Sequence, residues 1–270
     1  MKKSMKKLSA IFLVGILVFS MTACTKKRSA KEILESSIKK SKEVTSSHMT
    51  GTAKYKIEAG DSGSSSAMEF DMTFDAKVAD ANKDSMKMDM NMKMSILGQS
   101  MSMDMYYTDG YYYMNMAGQK QKMKMDIAAM QKQLESTTGQ STLPSKYYKD
   151  LKLEKDGDHQ VLSYSLNEDG LNEYIKSLMN QMGSITGNNS GSNSLNSVKI
   201  DSFSGKRTLD EDDNILKETV KIVMDSKTGE KGKITISMTM NYKDPGKKVT
   251  VELPADLDTY TEINSSTTAQ

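Results

Sequence analysis

Met86-Lys-Met88-Asp-Met90-Asn-Met92-Lys-Met94-Ser-Ile96, continued by Met101-Ser-Met103-Asp-Met105-Tyr-Tyr107, Tyr112-Tyr-Met114-Asn-Met116 and Met123-Lys-Met125, is the stretch whose reading decides the fold. Methionine is a good helix former, but a strict period of two scatters side chains around a helix and gathers them on one face of a strand. The period predicts strands. Gly98-Gln99, Asp109-Gly110 and Gly118-Gln119 suit two-residue hairpin loops of the primed types. With those loops Met94 faces Met103, Met92 faces Met105, Met105 faces Met114, Tyr107 faces Tyr112, Met114 faces Met123 and Tyr112 faces Met125. A slip of one residue would turn a whole row to the other face. The expectation is a four-stranded meander with one sulfur-rich apolar face and one wet face carrying Lys87, Asp89, Asn91, Lys93, Ser102, Asp104, Asn115 and Lys124.

The same alternation extends to both sides. Upstream stand Met49, Ala53, Tyr55 and Ile57, then Met68, Phe70, Met72, Phe74, Ala76 and Val78. Downstream, Leu151 to Glu154 and Val161 to Leu166 form a hairpin around Gly157, followed by Val198 to Leu209, by Leu216, Val220, Ile222 and Met224, and by Ile234, Ile236, Met238, Met240 and Tyr242. A loop at Lys227-Thr-Gly229 would pair Ile222 with Ile234 and Val220 with Ile236; Val249, Val251 and Leu253 end the ordered chain, and the tail after Glu262 is expected to be loose. Three helices interrupt the strands. Ser29-Ala-Lys-Glu32 is a capping box ahead of Ile33, Leu34, Ile38 and Val44. Asp126 caps a short helix bearing Ile127, Met130 and Leu134. Leu171, Tyr174, Ile175, Leu178, Met179 and Met182 share one stripe of a third, which stops at Gly183 before a Ser/Asn/Gly-rich loop to residue 197.

An antiparallel sheet with one apolar face must bury that face, and the helices are the available cover. The fold class is therefore α+β: a curved antiparallel sheet of about ten strands, a half-barrel, closed by helices on a concave, Met-rich face. Residues 30–262 are read as a single domain and 263–270 as a disordered tail.

Residues 1–23 carry Lys2, Lys3, Lys6 and Lys7, then the apolar run Leu8 to Phe19, too short to span a bilayer, and they are followed by Cys24. This resembles a bacterial lipoprotein signal peptide, which implies cleavage before Cys24, lipid attachment there, and a short tether over 24–29 on the outer face of the cell membrane. Cys24 is the only cysteine, so disulfides and thiolate clusters are excluded. The chain has 37 basic and 35 acidic residues; four of the lysines fall in residues 1–23, leaving the remainder with an excess of two acids. No basic stripe with interleaved aromatics is present, and nucleic acid is not an expected partner. No nucleophile elbow, phosphate loop or zinc spacing occurs, His48 and His159 are far apart in sequence, and Asp210 to Asp213 lacks the glycine and spacing of a calcium loop. The reading is a non-enzyme that needs no cofactor, working as a monomer.

Tyr106-Tyr-Thr-Asp-Gly-Tyr-Tyr-Tyr-Met-Asn-Met-Ala-Gly-Gln119, Met238-Thr-Met-Asn-Tyr242 and Lys248-Val-Thr-Val-Glu-Leu-Pro254, with the lipobox and opening helix, resemble an uncharacterised family of Gram-positive lipoproteins. That family is similar in architecture to the lipoprotein carriers LolA and LolB and the mycobacterial lipoproteins LppX and LprG. Where its members often carry an aromatic after Gly-Gln, this chain has Lys120 and Gln121. The resemblance implies a half-barrel that holds an acyl chain or other hydrophobic ligand between sheet and helices. Methionine, unbranched and polarisable, suits a surface that repacks around apolar partners. The candidate ligand-binding residues are Met68, Phe70, Met72, Phe74, Met88, Met90, Met92, Met103, Met105, Tyr107, Met114, Met123, Ile236, Met238 and Met240. Two alternatives stand beside this: a partner-binding surface lipoprotein with a filled core, and Cu(I) held by thioethers drawn from neighbouring strands.

Overall fold

The computed structural model describes residues 28–59, 66–138, 143–186, 198–226 and 232–263. The signal segment, Cys24, the loop Lys227-Thr-Gly229 and the tail from 264 lie outside the described residues. Twelve strands form one open, curved sheet: β1 (Ser47–Ala59), β2 (Ser66–Ala79), β3 (Lys87–Ile96), β4 (Gln99–Thr108), β5 (Tyr111–Met116), β6 (Gln119–Lys124), β7 (Tyr148–Asp156), β8 (His159–Leu166), β9 (Val198–Leu209), β10 (Ile215–Ser226), β11 (Gly232–Lys243) and β12 (Thr261–Glu262). Their order across the sheet is β12-β6-β5-β4-β3-β2-β1-β11-β10-β9-β8-β7. Among the described residues the count is twelve rather than about ten, because every alternating segment but the last joins one sheet, together with a two-residue strand too short to show a period. Val249 to Leu253 is not a strand: no neighbour pairs with it, and it runs into Pro254, which lacks an N–H. The chain instead ends on β12, parallel to β6, where the Ile263 N–H donates to the Lys122 carbonyl at 2.8 Å.

The meander has the expected faces, but two of its three hairpins differ from the expected pairing. Met94 faces Met101, Met92 faces Met103 and Met90 faces Met105. Tyr112 faces Met123, and Met114 faces Gln121. Both hairpins turn two residues away from the expected register because the loops are Leu97-Gly98 and Ala117-Gly118, with φ of 50° and 81° and of 51° and 85°. Glycine takes the second loop position, as in a type I′ turn, not the first. Asp109-Gly110 has the same geometry and keeps Met105 opposite Met114, as expected. A shift of two residues preserves the face. The β10–β11 pairing is displaced in the same way, Ile222 facing Ile236 and Val220 facing Met238.

The helices are α1 (Ala30–Glu43), α2 (Ile127–Thr138) and α3 (Glu168–Thr186). Ser29 Oγ accepts from the Glu32 N–H at 3.2 Å and Glu32 Oε2 accepts from the Ser29 N–H at 2.7 Å, completing the capping box. Asp126 Oδ1 takes the Ala129 N–H at 2.7 Å. The third helix runs past Gly183 to Thr186. Ile33 and Leu34 of α1 and Tyr174, Ile175 and Leu178 of α3 bury against Tyr55, Phe203, Ile222 and Ile236. Met130 of α2 buries against Val78, Met88, Met105 and Tyr107.

The opposite face of the meander is not wet throughout. Tyr106 and Tyr113 are covered by Tyr260, Leu253 and Leu257 of the C-terminal segment, and Lys120 pairs with Asp256 at 2.5 Å beside them. At the far edge, β7 is interrupted between Lys149 and Lys152, where Asp150 has φ 55°, and it exposes Lys149, Lys152 and Lys155.

Candidate ligand-binding cleft

Facing residues of paired antiparallel strands share a side, so the register fixes which side chains form rows. One row runs Met49, Ala76, Met90, Met105, Met114 across β1 to β5. The next runs Ser47, Val78, Met88, Tyr107, Tyr112, Met123. A third runs Met240, Gly51, Phe74, Met92, Met103, Met116. Met90, Met105, Met114 and Met240 therefore lie on one face of the sheet.

Along these rows burial is graded. Met88, Met105 and Tyr107 are buried, and Met90, Met92, Met103 and Met114 pack half-buried around them. Phe70, Met72 and Met238 pack half-buried around Ile236, which is buried, and the Phe70 ring stacks on Tyr55 at 4.2 Å. Phe74 lies over Gly51, its Cε1 only 2.2 Å from where a Cβ would stand. Met123 is half-buried, and Met240 Sδ accepts from the Tyr242 hydroxyl at 3.9 Å. Met68 is 48% exposed, alongside the exposed Ile96, Leu97 and Met101. The corrected register also places three thioethers side by side in each of two rows, Met90-Met105-Met114 and Met92-Met103-Met116. Burial pushes the Tyr112 hydroxyl up to about 12, and the Tyr107 hydroxyl donates to the Met125 carbonyl at 3.2 Å.

Three cavities meet at Val44, where the chain leaves α1 for β1. The largest, about 860 Å³, is walled by Ser41, Lys42, Val44 and Thr45, by Ser47, Met49 and Val78 on the sheet, by Ala81 and Asn82, by Gln131 and Leu134 of α2, and by Pro144, a mixed lining whose exposed surface is mostly apolar. None of the fifteen candidate ligand residues walls these three cavities. The cleft meets them through its floor, since Met49 begins the row that continues to Met90, Met105 and Met114, and Val78 stands in the row of Met88 and Tyr107. Small Ala76 separates Met49 from Met90. The second cavity, about 600 Å³, is polar and bordered by Lys40, Lys83, Lys247 and Lys248. The third, about 120 Å³, lies against Ile215 and Tyr242. Met49 and Val78 belong to the sequence alternation, so their side of the sheet was legible; the lysines come from three unrelated segments and leave no periodic trace.

Beneath α3 the same face carries charge. Arg207 Nε donates to Glu218 Oε1 at 2.7 Å, the Tyr164 hydroxyl donates to the same oxygen at 2.6 Å, and an Arg207 terminal nitrogen donates to the Tyr148 hydroxyl at 2.8 Å. The guanidinium lies between the Tyr148 and Tyr164 rings, 5.2 and 5.3 Å from their centroids. Burial raises the Tyr164 hydroxyl well above its usual range, and the adjacent Glu218 charge adds to this. His48 pairs with Asp75 at 2.8 Å. Asp210 Oδ1 accepts from the Asp212 and Asn214 N–H groups, a turn, while Asp213 pairs with Arg28.

Fold and cleft together define an open twelve-stranded sheet with helices packed on one face. The chain belongs to DUF6612, a family of unknown function, which it matches over residues 29–265. No curated protein matches it. Among solved structures it is similar to LprF of Mycobacterium bovis, at 13% identity and a TM-score of 0.45, over 84% of this chain and 97% of that one. It is also similar to a LolA-superfamily protein of Nitrosomonas europaea, at 13% identity and a TM-score of 0.19, over 85% and 97%. A DUF1329 protein of Desulfovibrio piger matches at 9% identity and a TM-score of 0.23, over 83% and 95%. All three scores lie below 0.5, so the functional reading rests on this chain's own residues.

Proposed function

We propose that this chain is a non-enzymatic, monomeric lipoprotein of the cell envelope, anchored through Cys24, whose single domain over residues 30–262 binds or carries a hydrophobic ligand such as an acyl chain. The observation that carries the reading is the cleft at Val44. About 860 Å³ is within the usual range of small-ligand pockets, and its sheet-side wall, Ser47, Met49 and Val78, lies at the start of the two rows that become the methionine and tyrosine surface. Half-buried methionines beside such a cleft can repack to take up an alkyl chain.

Organic extraction and mass spectrometry of the purified chain should recover a lipid, and Val44→Trp, which fills the point where the cavities meet, should abolish recovery without changing the circular dichroism spectrum. Absence of any lipid from the unaltered chain, together with no binding of a fluorescent fatty acid, would refute the reading. Metabolic labelling with palmitate tests the anchor: label should enter the chain and be lost in Cys24→Ala.

A further inference from the structure

We infer, building on the reading of the cleft as a hydrophobic-ligand site, that the ligand is an amphiphile with an anionic headgroup, its chain in the apolar cleft and its headgroup among the lysines at the mouth. Lys40 comes from the last turn of α1, Lys83 from the connection between β2 and β3, and Lys247 and Lys248 from the segment after β11. The helix dipole favours a lysine at the end of α1, but it does not account for three more arriving from elsewhere. Four lysines against Glu43 and Asp80 give this pocket a local excess of cation, whereas the chain after residue 23 has an excess of acid. Asp80 engages Lys83 at 2.8 Å, Asp244 engages Lys247 at 2.6 Å, and Glu43 is held by Lys39 at 3.8 Å. Lys40 has no ion-pair partner among the described residues. Ammonium groups presented in this way are suited to a phosphate.

The polar pocket and the apolar cleft share Val44 and Thr45 as walls. Ala81, which walls the cleft, donates its N–H at 2.8 Å to the carbonyl of Thr45, which walls both. Apolar and cationic spaces thus lie side by side, as the tail and headgroup of one molecule do. Asn214 also borders the polar pocket, and its neighbour Asp213 holds Arg28 by two hydrogen bonds of 2.6 and 3.0 Å. Arg28 follows Cys24 by four positions in the chain, a reach of at most about 14 Å. An acyl anchor on Cys24 would therefore keep this mouth beside the bilayer from which such a ligand is drawn.

The test is calorimetric titration of the full chain with palmitoyl-lysophosphatidylglycerol and with palmitoyl-lysophosphatidylcholine, each below its micelle concentration. The same titrations are run on Lys83→Gln/Lys247→Gln/Lys248→Gln. The anionic lipid should bind about tenfold tighter at low salt, the preference fading as salt rises. In the triple variant the preference should vanish while affinity for the zwitterionic lipid is unchanged. Equal affinities in the unaltered chain would overturn the headgroup site and leave the hydrophobic cleft standing; binding of neither lipid would overturn both. A variant that loses affinity for anionic vesicles but keeps the preference among soluble lipids would assign the lysines to the bilayer surface and overturn the headgroup site as well.

Discussion

Arg207 donates to Glu218 at 2.7 Å with the two side chains 0% and 2% exposed, on the same sheet face as the apolar core. Breaking such a pair strands a buried charge, whereas replacing both members removes the demand. Arg207→Met is expected to cost about 3–5 kcal/mol, and Arg207→Met combined with Glu218→Leu distinctly less. Urea unfolding of the two variants beside the parent measures both; equal losses would show that the pair is not coupled.

Gly51 and Gly205 both sit beneath aromatic rings. A Cβ on Gly51 would stand 2.2 Å from Phe74, and one on Gly205 would stand 2.1 Å from Tyr164. Phe74 is half-buried and has room to swing aside, while Tyr164 is buried and tied through its hydroxyl to Glu218. Gly205→Ala should therefore cost more than Gly51→Ala, about 3 against about 1 kcal/mol. Thermal denaturation ranks them, and the reverse order would contradict the account.

Leu97 is 76% exposed and has φ 50° at the first position of a two-residue turn. A leucine there has the left-handed cost without a packing gain, and asparagine tolerates that geometry. Leu97→Asn should stabilise the chain by about 1 kcal/mol, read as a rise in the urea midpoint.

Tyr106 and Tyr112 are each pushed up to about 12, chiefly by burial, from an ordinary value of 10.0. A raised folded-state value means that their contribution to stability is complete below pH 10 and is lost as pH rises through about 12. Ultraviolet titration of tyrosinate should show late-ionising groups among the 12 tyrosines of the folded chain, and these should merge with the rest in urea.

Much of this architecture was legible because a period of two is insensitive to register. Met90, Met105 and Met114 share the face that the period predicts, although two of the three turns lie one residue from their predicted place and shift the pairing by two. Gly98 and Gly118 could serve either position of a primed turn, and only the backbone shows that Leu97 and Ala117 accept the left-handed conformation. Arg207 and Glu218 were accessible to the same logic, since Phe203, Gly205, Arg207 and Leu209 alternate onto the face shared by Glu218, Val220 and Ile222. The polar pocket was not. Lys40, Lys83 and Lys247 are far apart along the chain and converge only after the sheet has closed their distance, so composition and period carry no sign of them.

Twelve strands in an open sheet leave two ladders of unpaired backbone where further copies could add on. Here one ladder meets only the stub Thr261–Glu262, and the other is broken near Asp150 and studded with Lys149, Lys152 and Lys155. Both flanks are thereby made poor templates for the addition of further copies into a fibril.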